Sequence, residues 1–120
     1  MDFKKLAQKE LALSPLMSGR EQLKSEEING KTLTMTEFDF VSIVDHGVEK
    51  VYPVCIFAEY PDRYYNGGML LYKLCNSFVA EFGGDVEAAS NALFEYGGIT
   101  LRFKIAKTRS GNNITTIEAV

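Results

Sequence analysis

The chain has no tryptophan, one histidine, two cysteines and three prolines among its 120 residues. Each scarcity excludes something. A single imidazole, His46, leaves little equipment for acid–base or metal chemistry, and its neighbours Asp45 and Glu49 read as a solvated loop around Gly47, not a triad. Cys55 and Cys75 lie in apolar segments with no histidine at ligand spacing, so a zinc site lacks its third and fourth ligands. They read as buried free thiols of a cytosolic protein. No apolar run approaches the ~20 residues that span a bilayer. The segment MDFKKLAQKE has no apolar signal-peptide core, so a cytoplasmic location is expected. The Gly-Gly pairs in YYNGGML and FGGD are not followed by Lys-Ser/Thr and fail as phosphate loops. Carboxylate neighbours such as Glu26 and Glu27, or Glu37 and Asp39, have no partner set. No catalytic constellation, cofactor motif or metal cluster emerges, and no enzyme is expected.

Excess positive charge is missing too. The formal net charge is −3, which argues against a strongly basic duplex-DNA binder or a polybasic membrane-surface protein. The charge is unevenly spread, however. Residues 32–62 carry Lys50 against six carboxylates, whereas residues 99–120 carry Arg102, Lys104, Lys107 and Arg109 against Glu118 alone. A local basic patch can hold a polyanion on an acidic protein, because screening confines its field to ~8–10 Å.

What is present is a sequence that is 46% hydrophobic and 24% charged, enough for one domain with one modest core. Residues 1–30 read as a helical segment: a short helix in the first ten residues, a break at Pro15 and Gly19, then a helix over 18–27 capped by Ser18 and Glu21. Asn29-Gly30 reads as a turn. From there to residue 120 the pattern suits a barrel-like domain. Residues 31–44 alternate, and their apolar set shifts from odd (Leu33, Met35) to even (Phe38, Phe40) and back, which predicts a bulged or bent long strand. DHGVEK, 45–50, reads as a loop, and 51–60 as a strand with Pro53 at an edge or bulge. PDRYYNGG, 61–68, reads as a turn-rich loop. Helical spacing predicts helices over 69–82, ended by Gly83-Gly84, and 85–96, capped by Asp85 and ended by Gly97-Gly98. ITLRFKIAK alternates cleanly, TRSGNN reads as a hairpin turn, and ITTIEAV as the returning strand. The fold class expected is mainly β with added helices: an OB-type five-stranded barrel with helices between the third and fourth strands. An α+β sheet with helices on one face is the alternative.

Aromatic and basic residues interleave on these strands. A single-stranded nucleic acid needs cations for its phosphates and aromatic faces for its bases, each stacked base being worth ~1–3 kcal/mol. Candidates are Tyr52, Tyr60, Arg63, Tyr64 and Tyr65, with Arg102, Lys104, Lys107 and Arg109 at the C-terminal hairpin. Most of the fourteen Phe and Tyr must be core. Tyr64 and Tyr65, adjacent on the expected loop, are the least able to point inward together, although one could anchor beneath it.

The runs EKVYPVCIFAEYPDRYYNGGMLL, FVAEFGGDVEAASNAL and RFKIAKTRSGNNITTIEAV, with SGREQLKSEEING and LTMTEFDFV upstream, resemble a family of small single-stranded DNA-binding proteins of phages and mobile elements of low-GC Gram-positive bacteria. The resemblance covers residues 18–120. It implies an OB fold and binding of single-stranded DNA without sequence specificity in phage replication or recombination, with phage replication or recombination proteins as partners. Bacterial housekeeping relatives end in an acidic tail with a terminal Phe that recruits partners. This sequence ends IEAV with only Glu118, so recruitment is expected to use another surface. A homodimer would raise affinity by avidity. A protein-interaction or structural phage module on the same barrel is the alternative function.

Overall fold

The computed structural model describes Phe3 and residues 13–120; the helix expected in the first ten residues otherwise lies outside the described residues. A 3-10 turn, Pro15–Met17, leads into β1 (Glu21–Leu23), α1 (Ser25–Ile28), β2 (Thr32–Asp45), β3 (Val48–Phe57), β4 (Tyr60–Asn66), α2 (Met69–Glu81), α3 (Val86–Tyr96), β5 (Ile99–Lys107) and β6 (Asn113–Ala119). The strands form one sheet in the order β1-β4-β3-β2-β5-β6. It has six strands, one more than expected, and both helices α2 and α3 fall between β4 and β5.

The sheet is curled into a half-barrel, and two rings prove the curl. Tyr65 on β4 and Phe103 on β5 are separated by two intervening strands, which would place them ~14 Å apart in a flat sheet. Their ring centroids lie 5.9 Å apart, with Phe57 of β3 touching both. These rings, with Leu23, Ile28, Leu33, Met35 and Leu101, fill the concave face. Helix α2 closes one end of it: Phe78 meets Phe38, and Tyr72 meets Phe40. Its buried stripe, Leu71, Cys75 and Val79, follows the helical spacing in the sequence.

The bend in β2 falls where the parity of its apolar residues shifts. Its register with β3 slips between Met35 and Glu37. Pairing with β5 ends at Met35–Ile99. Beyond it α3 covers the strand, and the Ser90 hydroxyl accepts the Phe38 amide at 3.0 Å. Gly98 is what lets β5 begin there: a Cβ on it would lie 2.6 Å from the Met35 carbonyl oxygen.

Three local expectations are corrected. Residues 18–27 are not one helix: Glu21–Leu23 pair in parallel with Arg63–Tyr65, which buries Leu23, and the single turn α1 is capped by the Glu27 carboxylate accepting the Lys24 amide at 2.7 Å. Burying Leu23 and Ile28 makes this segment part of the same core. The loop expected at 45–50 shrinks to two residues, because Asp45 already pairs with Val48. His46 and Gly47 both have positive φ, the conformation that matches the twist of a two-residue hairpin. And 61–66 is the strand β4, held on one side by β3 and on the other by β1. Pro53 lies on the inner strand β3, opposite Phe40 of β2, where the ladder with β4 runs out: its carbonyl accepts the Gly67 amide just past the end of β4, and the missing N–H leaves that last pair one bond instead of two. Past Val54–Asn66 and Met35–Ile99, β2 and β3 continue as a two-stranded arm that leaves Val44 and Val48 exposed.

Candidate nucleic-acid interface

Strand geometry sorts the aromatic candidates. Tyr65 is 2% exposed, and its ring packs on Phe57 and Phe103. It is a core residue and offers no face to a base: of the two alternatives for the Tyr64-Tyr65 pair, the one in which a tyrosine anchors inward holds, on a strand and not on the expected loop. Tyr64, next along β4, points to the opposite face and is half-buried. Tyr60, also half-buried, accepts a hydrogen bond from Lys31 Nζ at 2.8 Å. Arg63 is consumed by the fold. Its guanidinium grips the Glu27 carboxylate through two nitrogens at 3.2 and 2.9 Å and donates to the Gln22 carbonyl at 2.8 Å, tying β4 to β1 and α1. The Lys24 amide and Arg63 together hold the Glu27 carboxyl below the usual carboxylate range.

The basic candidates do not form one patch. Arg102 and Lys104 share the convex face of β5, as alternation predicts, across from Glu118 and Thr116 of β6. Arg102 Nη1 lies 3.6 Å from Glu118, and both side chains are largely exposed. Lys107 has the parity of Phe103 and Ile105 and faces the other way, opposite Asn113. Arg109 sits in the hairpin turn.

A trough at the foot of the β2–β3 arm gathers the remaining features. Two adjoining cavities of about 410 and 470 Å³ share Tyr52, Gly67, Gly68 and Met69. One runs to Lys50, Val51 and Tyr72, and the other passes Ser25 and Asn66 to Asn113–Thr115 on β6. Tyr52 and Tyr72 are half-buried, each with part of its surface free. Gly68 precedes α2 and has no side chain to cap it, so the first-turn amides of α2 stay available at the trough. Unpaired amides at a helix start favour an anion. Lys50 lines one end, bridged to Asp45 at 3.3 Å; at the other end the lining residue Asn113 pairs across the ladder with Lys107, which does not itself line the cavity. The arrangement offers the Tyr52 ring where the two cavities join, with Tyr72 and the cation of Lys50 in one of them.

No family model, curated protein or solved structure matches the chain.

Of the residues lining the trough, Tyr52 is a candidate from the sequence, whereas Lys50, Tyr72 and Gly68 are not. The signal for Gly68 is legible afterwards: two glycines between a strand and an apolar helix leave that helix without a side-chain cap. Cys55 and Cys75 are both buried in the core, and burial raises both thiols, Cys75 to about 12. Among the described residues no three His, Cys, Asp or Glu side chains gather as a metal site, and no helix is long and apolar enough to cross a membrane.

Proposed function

We propose that this protein binds single-stranded DNA without sequence preference, through an OB-type barrel formed by β2–β6 with α2 and α3 inserted between β4 and β5. The trough carries the reading. Bases stack on Tyr52 and Tyr72, and the backbone runs from Lys50 past the open start of α2 to Lys107. Arg102 and Lys104 add a second cationic surface on the convex face for strand leaving the trough. Stacking and phosphate neutralisation supply the energy, and no step is catalytic. The work is protection of exposed strands during phage DNA replication or recombination in the host cytoplasm, alongside other proteins of that process.

The test is a mobility shift with labelled oligo-dT competed by duplex of equal length. Oligo-dT is expected to bind more tightly, because a stiff duplex cannot present its bases to Tyr52. Tyr52→Ala is expected to cost one stacked base, ~1–3 kcal/mol. Equal affinity for both forms, or none at low salt, rejects the proposal. One feature favours a second reading, a protein-interaction module: the arm exposes Val44 and Val48 within the acidic stretch 32–62. Loss of a protein partner but not of oligo-dT in a Val44→Ser, Val48→Ser variant supports it.

A further inference from the structure

The sheet leaves a slot beside the β2–β3 arm. In the ladder between β3 and β4, Cys55 pairs with Tyr65 and Val54 with Asn66, and the Pro53 carbonyl accepts the Gly67 amide at 2.9 Å. In that register Met69 would come next, opposite Val51. Met69 instead begins α2, so the chain turns away and the place beside Val51 stays open. That place is the cavity of about 470 Å³ between β3 and the start of α2, which Val51, Pro53, Gly68, Tyr52 and Tyr72 line.

The hydrogen-bond pattern fixes what Val51 presents there. Asp45 and Val48 close the two-residue hairpin as a hydrogen-bonded pair. Alternation from that pair makes Lys50 and Tyr52 bond inward to Ile43 and Val41 of β2, whereas Glu49, Val51 and Pro53 turn their backbone groups outward. Two contacts at the outer edges obey this alternation. One is the Pro53 carbonyl with the Gly67 amide; the other is the Phe38 amide of β2, which leaves the ladder for the Ser90 hydroxyl at 3.0 Å. Val51 therefore directs its N–H and C=O side by side into the cavity, and among the described residues neither has a partner. A free donor and acceptor in a cavity wall suit a ligand that brings the complementary pair.

We infer that Val51 holds the Watson–Crick edge of an unpaired base: its N–H donates to a ring nitrogen or carbonyl oxygen of the base, and its C=O accepts the neighbouring N–H. The inference rests on the DNA reading above and deepens it, because it names the group that tells single from double strand. Every DNA base carries an acceptor beside a donor on this edge, so the contact is blind to sequence. In a duplex the opposite strand occupies that edge, and only an unpaired base can offer it. Tyr52 and Tyr72 line the same cavity and supply ring surface for the base. A peptide strand fits less well. Only Glu49 and Val51 face outward between Pro53 and the hairpin, too few for the row of main-chain bonds that strand addition uses.

N3-methylthymidine tests the contact. An oligomer of it keeps the charge, backbone and stacking face of oligo-dT but carries a methyl group in place of the base N–H. Wild type is expected to bind it roughly five- to thirty-fold more weakly than oligo-dT of equal length, the worth of one to two hydrogen bonds. Val51→Pro removes only an outward N–H and sets its ring where the base would sit. It should bind both oligomers alike, at the weaker level, with native circular dichroism. Val51→Thr keeps the backbone groups and should discriminate as wild type does. In the free protein the Val51 amide should exchange with solvent faster than the Tyr52 amide, which bonds to β2, and oligo-dT should slow it. Equal binding of the two oligomers by wild type, or a Val51 amide that exchanges no slower with oligo-dT bound, overturns the inference and leaves stacking on Tyr52 standing. Failure of wild type to bind oligo-dT at low salt rejects the DNA reading and this inference together. If Val51→Pro unfolds, the methylated oligomer and the amide exchange decide it.

Discussion

Tyr65 and Tyr52 divide the labour of this chain's tyrosines between core and surface. Tyr65→Ala removes a ring lodged between Phe57 and Phe103 and leaves a cavity. It is expected to destabilise the fold by ~3–5 kcal/mol, the range for a buried aromatic, read from urea unfolding. Tyr52→Ala should leave the urea midpoint close to wild type, because its ring is only half-buried, and act on oligo-dT affinity alone. Glu27 makes a different prediction, on pH. Its carboxyl is held low by the Lys24 amide and Arg63. A depressed carboxylate contributes stability above its unfolded pKa of about 4.3, and that contribution fades as pH falls through the folded value. Wild type should therefore lose more of its urea midpoint between pH 7 and pH 3 than Glu27→Gln does. An equal loss would show that the Arg63 clamp does not tie β1 to β4.

At the scale of elements, two glycines matter for opposite reasons. Gly47 supplies the left-handed turn at the tip of the arm, where its Cβ would meet nothing. Gly47→Ala should cost ~1–2 kcal/mol, the penalty of a left-handed alanine. Gly98 combines a positive φ of 85° with a backbone neighbour where its Cβ would go. Gly98→Ala must push β5 away from β2 at the first pair of their ladder, so it should destabilise more than Gly47→Ala. Thermal unfolding of the two variants ranks them, and the reverse order would place the close approach elsewhere. The helices ask for less. Asp85 caps α3 by accepting the Ala88 amide at 3.0 Å, and Gly97 ends it in the left-handed conformation, both as the sequence pattern predicts. Tyr96, which continues the helical spacing of Val86, Ala89 and Leu93, is 84% exposed, because α3 lies against β2 by its Ala89 and Ser90 side and ends away from the sheet.

For the whole molecule, the division of the basic residues between two faces gives a test of the proposed DNA path. Each phosphate that is no longer neutralised flattens the salt dependence of single-strand binding by ~0.7 in log–log slope. Lys50→Ala with Lys107→Ala removes the cation at one end of the trough and the one beside its other end. Arg102→Ala with Lys104→Ala removes the convex pair and leaves the core intact, since both point outward. If the strand threads the trough and leaves over β5, each double variant flattens the slope, and the Lys50/Lys107 variant also weakens the quenching of tyrosine fluorescence by oligo-dT. An unchanged slope for Lys50→Ala with Lys107→Ala would move the DNA out of the trough.

The sequence by itself determined the elements whose signals are local. β2 and its bend, β5, the closing hairpin, and both long helices with their caps are written in periodicities of two and 3.6 and in the residues that end them. The outward placement of Arg102 and Lys104 follows from the same alternation. Tertiary structure decided the rest. EQL and PDRYYN carry no strand signal of their own: one is too short, and the other holds Pro61, Asp62 and Asn66, poor strand formers. They become β1 and β4 because each supplies the other an edge and β3 supplies a third strand, a pairing between segments some forty residues apart that no local window contains. That pairing turned Tyr65 inward and committed Arg63 to Glu27. The curl of the sheet then brought Tyr52 and Lys50 of β3, the start of α2 and Asn113 of β6 to one trough, residues that only a closed hydrophobic face can draw together.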